Sequence, residues 1–362
     1  MPLDTDAPYR DRYSCGETAM KHINRHLMTA FDRGYGLISR KKTCSRLMPK
    51  ELFDGQEYSV DQFYGKYSAF FDKPWEFYRD FTENGPLRLR DGVHPRGLIA
   101  PKVPCRRMIF DSPVSTDWEE NNLVPFKWFS DPKRRSKTIL LFAPGWGRSS
   151  QSVEDAWCHQ LQKLGVDCGL LTVPYHQART PGGSFTGEYF ISANMLWTVS
   201  NFRHFTAEIR RLIQEMRQEY EYIGLVGMSS GGFQAALASN CEPLDFFFPL
   251  ITGGQLGSIT WHGSITQFVR RDLEKKNINE NILGKAWSIA DEVVLGKHCK
   301  AKTIKQYISL YDRVVPTIYQ LKLWEALGKP PRLDLECAHY SSFFHGNTVL
   351  KDIAETVREH TL

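Results

Sequence analysis

The sequence predicts an α/β fold, with a mainly parallel central sheet that is covered by helices on both faces. From about residue 99 onward, short apolar runs alternate with segments whose apolar residues recur at helical spacing. This alternation is typical of parallel sheets in which each strand is followed by a helix. The run Thr-Ile-Leu-Leu-Phe-Ala, which ends at Ala143, is apolar without interruption. Such a run predicts a strand that is buried on both faces of its sheet.

The predicted elements follow one another in a regular order. A hairpin comes first, because a polar Asp/Glu/Asn turn separates the apolar runs 107–110 and 124–129. Further strands are predicted at residues 137–143, 168–173, 222–226, 246–250, 304–310 and 333–337. Apolar residues at helical spacing predict helices at about 153–164, 194–220 and 231–239, and a last helix that packs through Val349, Leu350, Ile353 and Val357.

Two segments depart from this alternation. Residues 1–98 are rich in Phe, Tyr and Trp at mixed three- and four-residue spacings, which predicts an N-terminal extension of short amphipathic helices. The main domain is assigned to residues 99–362, with a lid insertion of short helices at about 253–302 beside the carboxyl ends of the strands.

Aromatic side chains in both segments suggest contact with an apolar substrate. Trp261, Phe268 and Trp287 of the insertion are expected to line an apolar pocket, and hence to favour substrates of substantial apolar bulk. For the aromatic residues of the N-terminal extension, pocket lining and simple packing stay equally open.

Composition and charge restrict the class of partner. The 362 residues are 41% hydrophobic, which is in the globular range, and the net charge of +5 comes from residues 1–50, where ten Lys/Arg face five Asp/Glu. This mild excess is weak support for a nucleic-acid partner, and none is expected. No apolar run approaches the ~20 residues of a membrane-spanning helix. The N-terminus resembles neither a secretory nor an organellar leader, so a cytoplasmic location is expected.

Two candidate metal-binding patterns are weak. The eight cysteines are scattered without a Cys-x-x-Cys pair, so neither a zinc site nor a disulfide framework is indicated. His22 and His26 have the i, i+4 spacing of metal ligands, but no third ligand is evident, and a solvated helix face is favoured. No metal is therefore predicted.

The strongest motif is Gly-Met-Ser-Ser-Gly at 227–231, between an apolar strand and a helix of small residues. This context is typical of the Gly-x-Ser-x-Gly nucleophile elbow, in which glycines allow a sharp turn that exposes the serine hydroxyl above the sheet. Ser229 is therefore predicted to be a nucleophile. Ser230 is a poorer candidate, because it lacks the glycine two places before it.

A serine hydroxyl needs a base to remove its proton and an acid to orient that base, which in this context follow the serine in the order acid, then histidine. Asp312 directly follows one apolar strand, and His339 lies at the tip of the next. We predict that they are the acid and the base. His345 is the alternative base, whereas Asp291 and Asp334 do not lie at the end of a strand.

Acyl chemistry also needs N–H donors aimed at the developing oxyanion. One donor is predicted to be the backbone N–H of Ser230, which follows the nucleophile. The second is expected from the Ala-Pro-Gly-Trp-Gly loop at 143–147, where the Trp146 N–H is the best candidate. A phosphate-binding loop at 145–150 is less favoured, because no Gly-Lys-Ser/Thr follows.

Tyr175, His176 and Arg179 follow the predicted fourth strand, near the edge of the sheet where a substrate would lie. Two interpretations stay open for them. They contact an acidic group of a substrate, or they form ordinary hydrogen bonds within their loop.

The motif segments at 144–147, 227–231, 311–316 and 338–342 together resemble the α/β-hydrolase superfamily over about residues 99–362. The resemblance implies a triad of Ser229, Asp312 and His339, without a metal or a dissociable cofactor. The oxyanion loop departs from the frequent His-Gly form by having Pro144-Gly145, which leaves the second donor in question.

A narrower similarity rests on Val-Pro-Tyr-His at 173–176, the segments 179–183 and 187–192, and His-Tyr-Ser-Ser-Phe-Phe at 339–344. These segments resemble the group called α/β-hydrolase domain-containing protein 18 and its bacterial relatives. This group implies esterase or lipid-acyl hydrolase activity.

The function predicted from these residues is a serine hydrolase that cleaves a carboxylic ester or thioester through an acyl-enzyme on Ser229. The partner is expected to be a small-molecule ester, thioester or lipid-like substrate. The same triad would serve an acyltransferase or an amide hydrolase. A non-catalytic binding or scaffold protein is the alternative of another class. The natural substrate and the oligomeric state stay open at this level.

Overall fold

The structure is a computed structural model of the chain that describes residues 25–34, 59–79, 87–92, 105–133 and 136–361. The predictions that concern His22 and the start of the N-terminal extension lie outside the described residues.

The strands in the described part of the chain form one sheet. They are β1 (Arg90–Asp91), β2 (Arg106–Asp111), β3 (Leu123–Phe129), β4 (Thr138–Ala143), β5 (Asp167–Leu171), β6 (Tyr222–Met228), β7 (Leu244–Leu250), β8 (Ala301–Ile304), β9 (Gln306–Ser309) and β10 (Arg332–Leu335). Their order is β1-β2-β3-β5-β4-β6-β7-β9-β10, and β8 pairs with β7 beside this path.

The sheet is mainly parallel, as the sequence predicts. The strands β1, β2 and β3 are antiparallel, and β3 is antiparallel to β5. From β5 to β10 every observed pair is parallel. The order reverses at β4, which lies between β5 and β6, and ligands of open α/β sheets bind at such a switch point.

One predicted strand is divided in the structure. The apolar run 304–310 contributes to both β8 and β9, and Lys305 interrupts the strand between them. The physical reason is a change of partner. Residues of β8 pair with the first half of β7, whereas β9 pairs with β10 and meets β7 only where Leu250 lies opposite Tyr307.

Helices surround the sheet. In the described ranges they are α1 (residues 25–34), α2 (Val60–Tyr67), α3 (Pro74–Phe77), α4 (Ser152–Lys163), α5 (Met195–Met216), α6 (Ser230–Cys241), α7 (Leu256–His262), α8 (Gln267–Lys275), α9 (Glu280–Trp287), α10 (Glu292–Leu295), α11 (Thr317–Ala326) and α12 (Gly346–Thr361). In this part of the chain, no helix is long and apolar enough to cross a membrane.

The strand β4 shows how the core is divided between the two faces of the sheet. All six of its residues are buried. Ile139 and Leu141 belong to one hydrophobic cluster, with α5, α6 and the insertion, while Leu140 and Phe142 belong to another, with α4 and α12. Since successive side chains of a strand point to opposite faces, this division confirms helices on both faces.

The helices α2 and α3 of the N-terminal extension pack against the insertion. The hydroxyl of Tyr67 donates to the Ala286 carbonyl at 2.8 Å, and that of Tyr78 donates to the Ile289 carbonyl at 2.7 Å. Short helices occur in both segments, as predicted. The division of the chain into an extension and a main domain at about residue 98 stays a prediction.

Candidate active site

Ser229 is the single residue between β6 and α6, and its backbone is strained. Its φ of 53° and ψ of −122° are unusual for a residue with a side chain. Such a conformation costs on the order of 1–3 kcal/mol and persists where the surrounding structure enforces it. The Ser229 N–H donates to the Leu250 carbonyl of β7 at 2.9 Å, which holds the turn against the sheet.

The glycines of the motif are required by close packing around this turn. A Cβ atom at Gly231 would lie 2.2 Å from the Ala143 carbonyl oxygen, and one at Gly227 would lie 2.6 Å from the Cα atom of Gly232. Both distances are shorter than any real contact of this kind. The motif therefore brings the start of α6 directly against the end of β4.

The structure brings the three predicted triad residues together. Ser229 Oγ lies 2.9 Å from His339 Nε2, and His339 Nδ1 lies 2.7 Å from Asp312 Oδ2. A carboxylate only accepts hydrogen bonds, so the proton of the second contact lies on Nδ1, and Nε2 then accepts from the serine hydroxyl. Asp312 and His339 are buried, whereas Ser229 is half-buried.

The Asp312 carboxylate is held mainly by its own loop. Its Oδ1 accepts from the N–H groups of Val314 at 2.8 Å and Val315 at 2.9 Å. Its Oδ2 accepts from Gln320 Nε2 at 3.0 Å, and the same nitrogen donates to the Val315 carbonyl. Sequence reasoning missed Gln320, since no motif distinguishes it from other polar residues of α11.

The loop that carries His339 is tied to a distant helix. The Asp32 carboxylate of α1 accepts from the Tyr340 N–H at 3.1 Å and the Ser341 N–H at 3.1 Å. The Ser342 hydroxyl donates to the His339 carbonyl at 2.6 Å. Burial raises the pKa of Asp32. No sequence signal connects this aspartate with a loop more than 300 residues away.

The predicted oxyanion loop lies beside the serine. A Cβ atom at Gly145 would lie 3.3 Å from Ser229 Cβ and 3.7 Å from Ser229 Oγ, so the loop approaches the hydroxyl closely. Trp146 follows at once in the chain. On the other side of the serine, Ser230 is the first residue of α6, and the first N–H groups of a helix have no acceptor within it.

The rival candidates for acid and base have other surroundings. Asp291 caps α10 and accepts from the N–H groups of Gln255 and Leu256 in the insertion. Asp334 forms an ion pair with Arg332 on its own strand at 3.1 Å. His345 lies at the end of the 3-10 helix that follows His339. None of these contacts involves Ser229.

One expectation about binding residues needs correction, and one open alternative is narrowed. Trp287 is buried in the core, where its indole N–H donates to the Met195 carbonyl at 2.9 Å, so it packs rather than lining an open pocket. Arg179 is fully buried and forms an ion pair with Glu208, so its charge is paired with an internal carboxylate. The second interpretation of its loop, internal hydrogen bonding, is the one the structure favours.

The described residues contain no group of three or more His, Cys, Asp or Glu side chains placed to hold a metal ion.

Solved structures of two esterases and a peptidase are similar to this chain in fold. Acetyl xylan esterase 1 from Thermoanaerobacterium sp. JW/SL YS485 has a TM-score of 0.58 at 14% identity, over 88% of this chain and 98% of that chain. Acetyl xylan esterase from Paenibacillus sp. R4 has a TM-score of 0.54 at 14% identity, with the same coverage. Pyrococcus horikoshii acylaminoacyl peptidase has a TM-score of 0.53 at 14% identity, over 71% of this chain and 41% of that chain.

No protein-family model matches the chain, and no curated protein matches it in sequence. At 14% identity the structural similarity concerns the fold. The chain has the α/β-hydrolase fold, which confirms the predicted fold class.

Proposed function

We propose that the protein is a serine hydrolase that cleaves a carboxylic ester or thioester through an acyl-enzyme on Ser229. The observation that carries this proposal is the continuous chain of two hydrogen bonds, 2.9 and 2.7 Å long, from Ser229 Oγ through His339 to Asp312. The strained turn at Ser229 adds support, because backbone strain persists at sites where function requires it.

In the proposed mechanism, Ser229 Oγ attacks the acyl carbon while His339 Nε2 takes the hydroxyl proton. Asp312 holds the imidazole in the correct tautomer and stabilises the imidazolium that forms. The imidazolium then gives its proton to the leaving oxygen or sulfur. Water, activated by the same imidazole, attacks the acyl carbon of the ester on Ser229 and releases the acid.

The negative charge that develops on the carbonyl oxygen needs donors in place. We assign this role to the backbone N–H groups of Ser230 and Trp146. Two features support the assignment: the position of Ser230 at the start of α6, and the approach of Gly145 to the Ser229 side chain. One such donor is worth about 3–4 kcal/mol in related chemistry.

The insertion is proposed to cover this site. The Ser264 N–H, in the turn between α7 and α8, donates to the carbonyl of Arg313 at 2.7 Å, so this turn of the insertion contacts the loop that carries Asp312. Trp261 and Phe268 are partly buried and remain candidates for contact with an apolar substrate.

The narrower similarity to the α/β-hydrolase domain-containing protein 18 group is part of the proposal. Three of the four segments that carry it, 173–176, 179–183 and 187–192, form one loop region beside the proposed oxyanion loop, and the fourth, 339–344, begins at His339. A cytoplasmic location stays a prediction.

A fluorophosphonate probe tests the proposed function. Intact mass spectrometry of the treated chain is expected to show one adduct, and Ser229→Ala is expected to abolish it. Ser288→Ala, which removes a hydroxyl bonded to the Lys285 carbonyl of the insertion, serves as the control and keeps the adduct. Labelling that persists in Ser229→Ala, or moves to Ser230, would overturn the proposal.

A comparison of p-nitrophenyl esters with the matching p-nitroanilides separates ester from amide hydrolysis. Because the esters are also hydrolysed faster without an enzyme, the rates are compared as accelerations over the uncatalysed reaction, and we expect the larger acceleration for the esters. Preferential cleavage of the anilides would make the amide-hydrolase alternative the correct one.

A further inference from the structure

The loop after β5 contains a buried histidine that the proposed mechanism does not use. His176 is fully buried, and its Nδ1 lies 2.8 Å from the Pro174 carbonyl oxygen. Because a carbonyl only accepts, Nδ1 carries the ring proton, and Nε2 is left as an acceptor. The Gly147 N–H donates to this Nε2 at 2.9 Å. Burial lowers the pKa of His176 to about 4, so the ring is neutral at pH 7 and Nε2 keeps its lone pair.

This hydrogen bond fixes one end of the proposed oxyanion loop. It orients the peptide group between Trp146 and Gly147, and therefore restricts the backbone of Trp146 itself. The Trp146 side chain is held from the same region, since its indole N–H donates to the Gly187 carbonyl at 2.7 Å. Backbone and side chain of Trp146 are thus both tied to the loop that carries His176.

The residues on both sides of His176 have strained backbone conformations. Tyr175 and Gln177 have φ values of 64° and 46°, in the left-handed region that side chains disfavour. A Cβ atom at Gly187 would lie 2.6 Å from His176 Nε2, so a larger residue there would displace the ring. Two strained residues and one required glycine surround a single hydrogen bond. Strain of this kind clusters where side chains are aimed at a functional site.

A buried ion pair anchors the same loop to α5. The Arg179 guanidinium donates to both carboxylate oxygens of Glu208, at 2.6 and 2.8 Å, and also to the Thr172 carbonyl at 2.9 Å. Burial alone would raise the pKa of Glu208, but the neighbouring Arg179 guanidinium lowers it to about 2. Asn121 completes the anchor by accepting from the Tyr175 N–H at 2.7 Å.

We propose that His176 is a positioning residue that holds the loop 145–147 with the Trp146 N–H directed at the oxyanion. This inference rests on the proposed function and explains three features outside the triad: the neutral buried histidine, the strain on both sides of it and the ion pair behind it. Without the acceptor at Nε2, the Gly147 N–H is left unpaired, and the peptide group between Trp146 and Gly147 loses the hydrogen bond that orients it.

Three variants test this role. His176→Phe keeps a buried ring and removes the acceptor, whereas His176→Gln supplies an amide oxygen at about the reach of Nε2. His360→Phe is the matched control. The His360 ring packs on Phe246 near the start of β7, whereas Ser229 lies at the opposite end of the strands, after β6. For a p-nitrophenyl ester, His176→Phe is expected to lower kcat about 10- to 100-fold, below the full loss of one oxyanion donor, with KM within about threefold.

Two further readouts separate positioning from simple loss of structure. The affinity for a trifluoromethyl ketone, which forms a tetrahedral adduct, is expected to fall by the same factor as kcat/KM in His176→Phe and to recover in His176→Gln. The apparent pKa of kcat/KM is expected to stay at the wild-type value, because the triad is untouched. Equal kinetics in His176→Phe and wild type, or a shifted apparent pKa together with a raised KM, would overturn the inference.

Hydrogen–deuterium exchange provides a readout that needs no turnover. The amides of segment 145–148 are expected to exchange at least about tenfold faster in His176→Phe than in wild type, and His176→Gln to restore protection. If His176→Phe fails to fold, the inference is still tested by His176→Gln and by amide exchange in the wild type. A rapidly exchanging Gly147 amide in the wild type would contradict its hydrogen bond to His176. A wild-type chain that resists the fluorophosphonate refutes the proposed function instead, whatever the exchange result.

Discussion

The two sides of Ser229 are built in different ways. On the acid–base side, the Asp312 carboxylate is held by N–H groups two, three and eight residues further along the chain. On the donor side, the Gly147 N–H is held by a histidine 29 residues away, whose loop is anchored in turn by Asn121 and by Glu208 of α5. The acid Asp312 is supported locally, whereas the donor loop depends on contacts between distant parts of the chain, as does the His339 loop through Asp32.

The difference arises because side chains act on one side of Ser229 and backbone N–H groups act on the other. The acid–base side uses side chains, and a side chain is placed once its strand ends at the correct edge of the sheet. The donor side uses backbone N–H groups, whose direction depends on the conformation of a whole loop. A backbone donor therefore needs a larger supporting structure, and variants in that structure are expected to affect catalysis without touching the triad.

The largest expected effect is on the acid–base side. His339→Ala is expected to lower kcat by at least about 10³-fold, and Asp312→Asn by about 10⁴-fold, because the amide favours the wrong imidazole tautomer. His345→Ala is the matched control and is expected to stay within a few-fold of wild type. Steady-state kinetics with one p-nitrophenyl ester measure all three. If His345→Ala and His339→Ala exchanged these results, the assignment of the base would be wrong.

The same contrast explains which parts of the site the sequence predicts. Ser229, Asp312 and His339 each follow an apolar strand, and strands are recognisable from periodicity, so the sequence places all three at one edge of the sheet. Gln320 and Asp32 support two of these residues, but nothing in their local sequence shows that they do. The sequence marks His176 only as part of the loop after a predicted strand, whereas its bond to Gly147 depends on how two loops pack. The prediction that Trp287 lines a pocket was wrong. The sequence does not distinguish an aromatic residue that packs in the core from one that lines a pocket.

The next effect concerns the anchor of the donor side. Glu208→Gln leaves the buried Arg179 guanidinium with neutral partners only, and the expected loss is about 3 kcal/mol in the free energy of unfolding. Urea denaturation at pH 7 measures it. Glu274→Gln makes the same chemical change in the exposed pair with Arg270 and is expected to cost less than about 1 kcal/mol. Equal small losses in both variants would show that the buried pair is no anchor.

A smaller effect is expected where the two sides meet. Gly145→Ala adds a Cβ atom 3.3 Å from Ser229 Cβ, which forces the loop or the serine to shift by a few tenths of an ångström. Displacements of this kind in a reacting group are expected to lower kcat about 10-fold. Gly182→Ala, where nothing lies within 4 Å of the added atom, is the control and is expected to resemble wild type. An unchanged kcat in Gly145→Ala would show that the donor loop adjusts freely.

The smallest expected effect is a difference in how the stability depends on pH between two buried glutamates. Glu208 is paired with Arg179, whereas Glu292 accepts from Asn240. Glu292 is fully buried and accepts from Asn240 Nδ2 at 2.9 Å, and burial raises the pKa of its carboxyl to about 8. The ordinary pKa of an exposed glutamate is about 4.3. Between these values the folded chain holds a proton that the unfolded chain has released, so stability falls as the pH rises from about 4.3 to about 8.

Glu208 has the opposite sign. Its pKa of about 2 lies below the ordinary value, so its contribution is complete at neutral pH and is lost only as the pH falls from about 4.3 towards 2. Between pH 6 and 7, the wild-type chain is therefore expected to lose stability through Glu292, on the order of 1 kcal/mol, while the anchor at Glu208 stays intact. Glu292→Gln is expected to remove this loss, because a neutral amide does not titrate. Urea denaturation of both chains at pH 6 and pH 7 tests the prediction, and a parallel change in the two would show that another group is responsible.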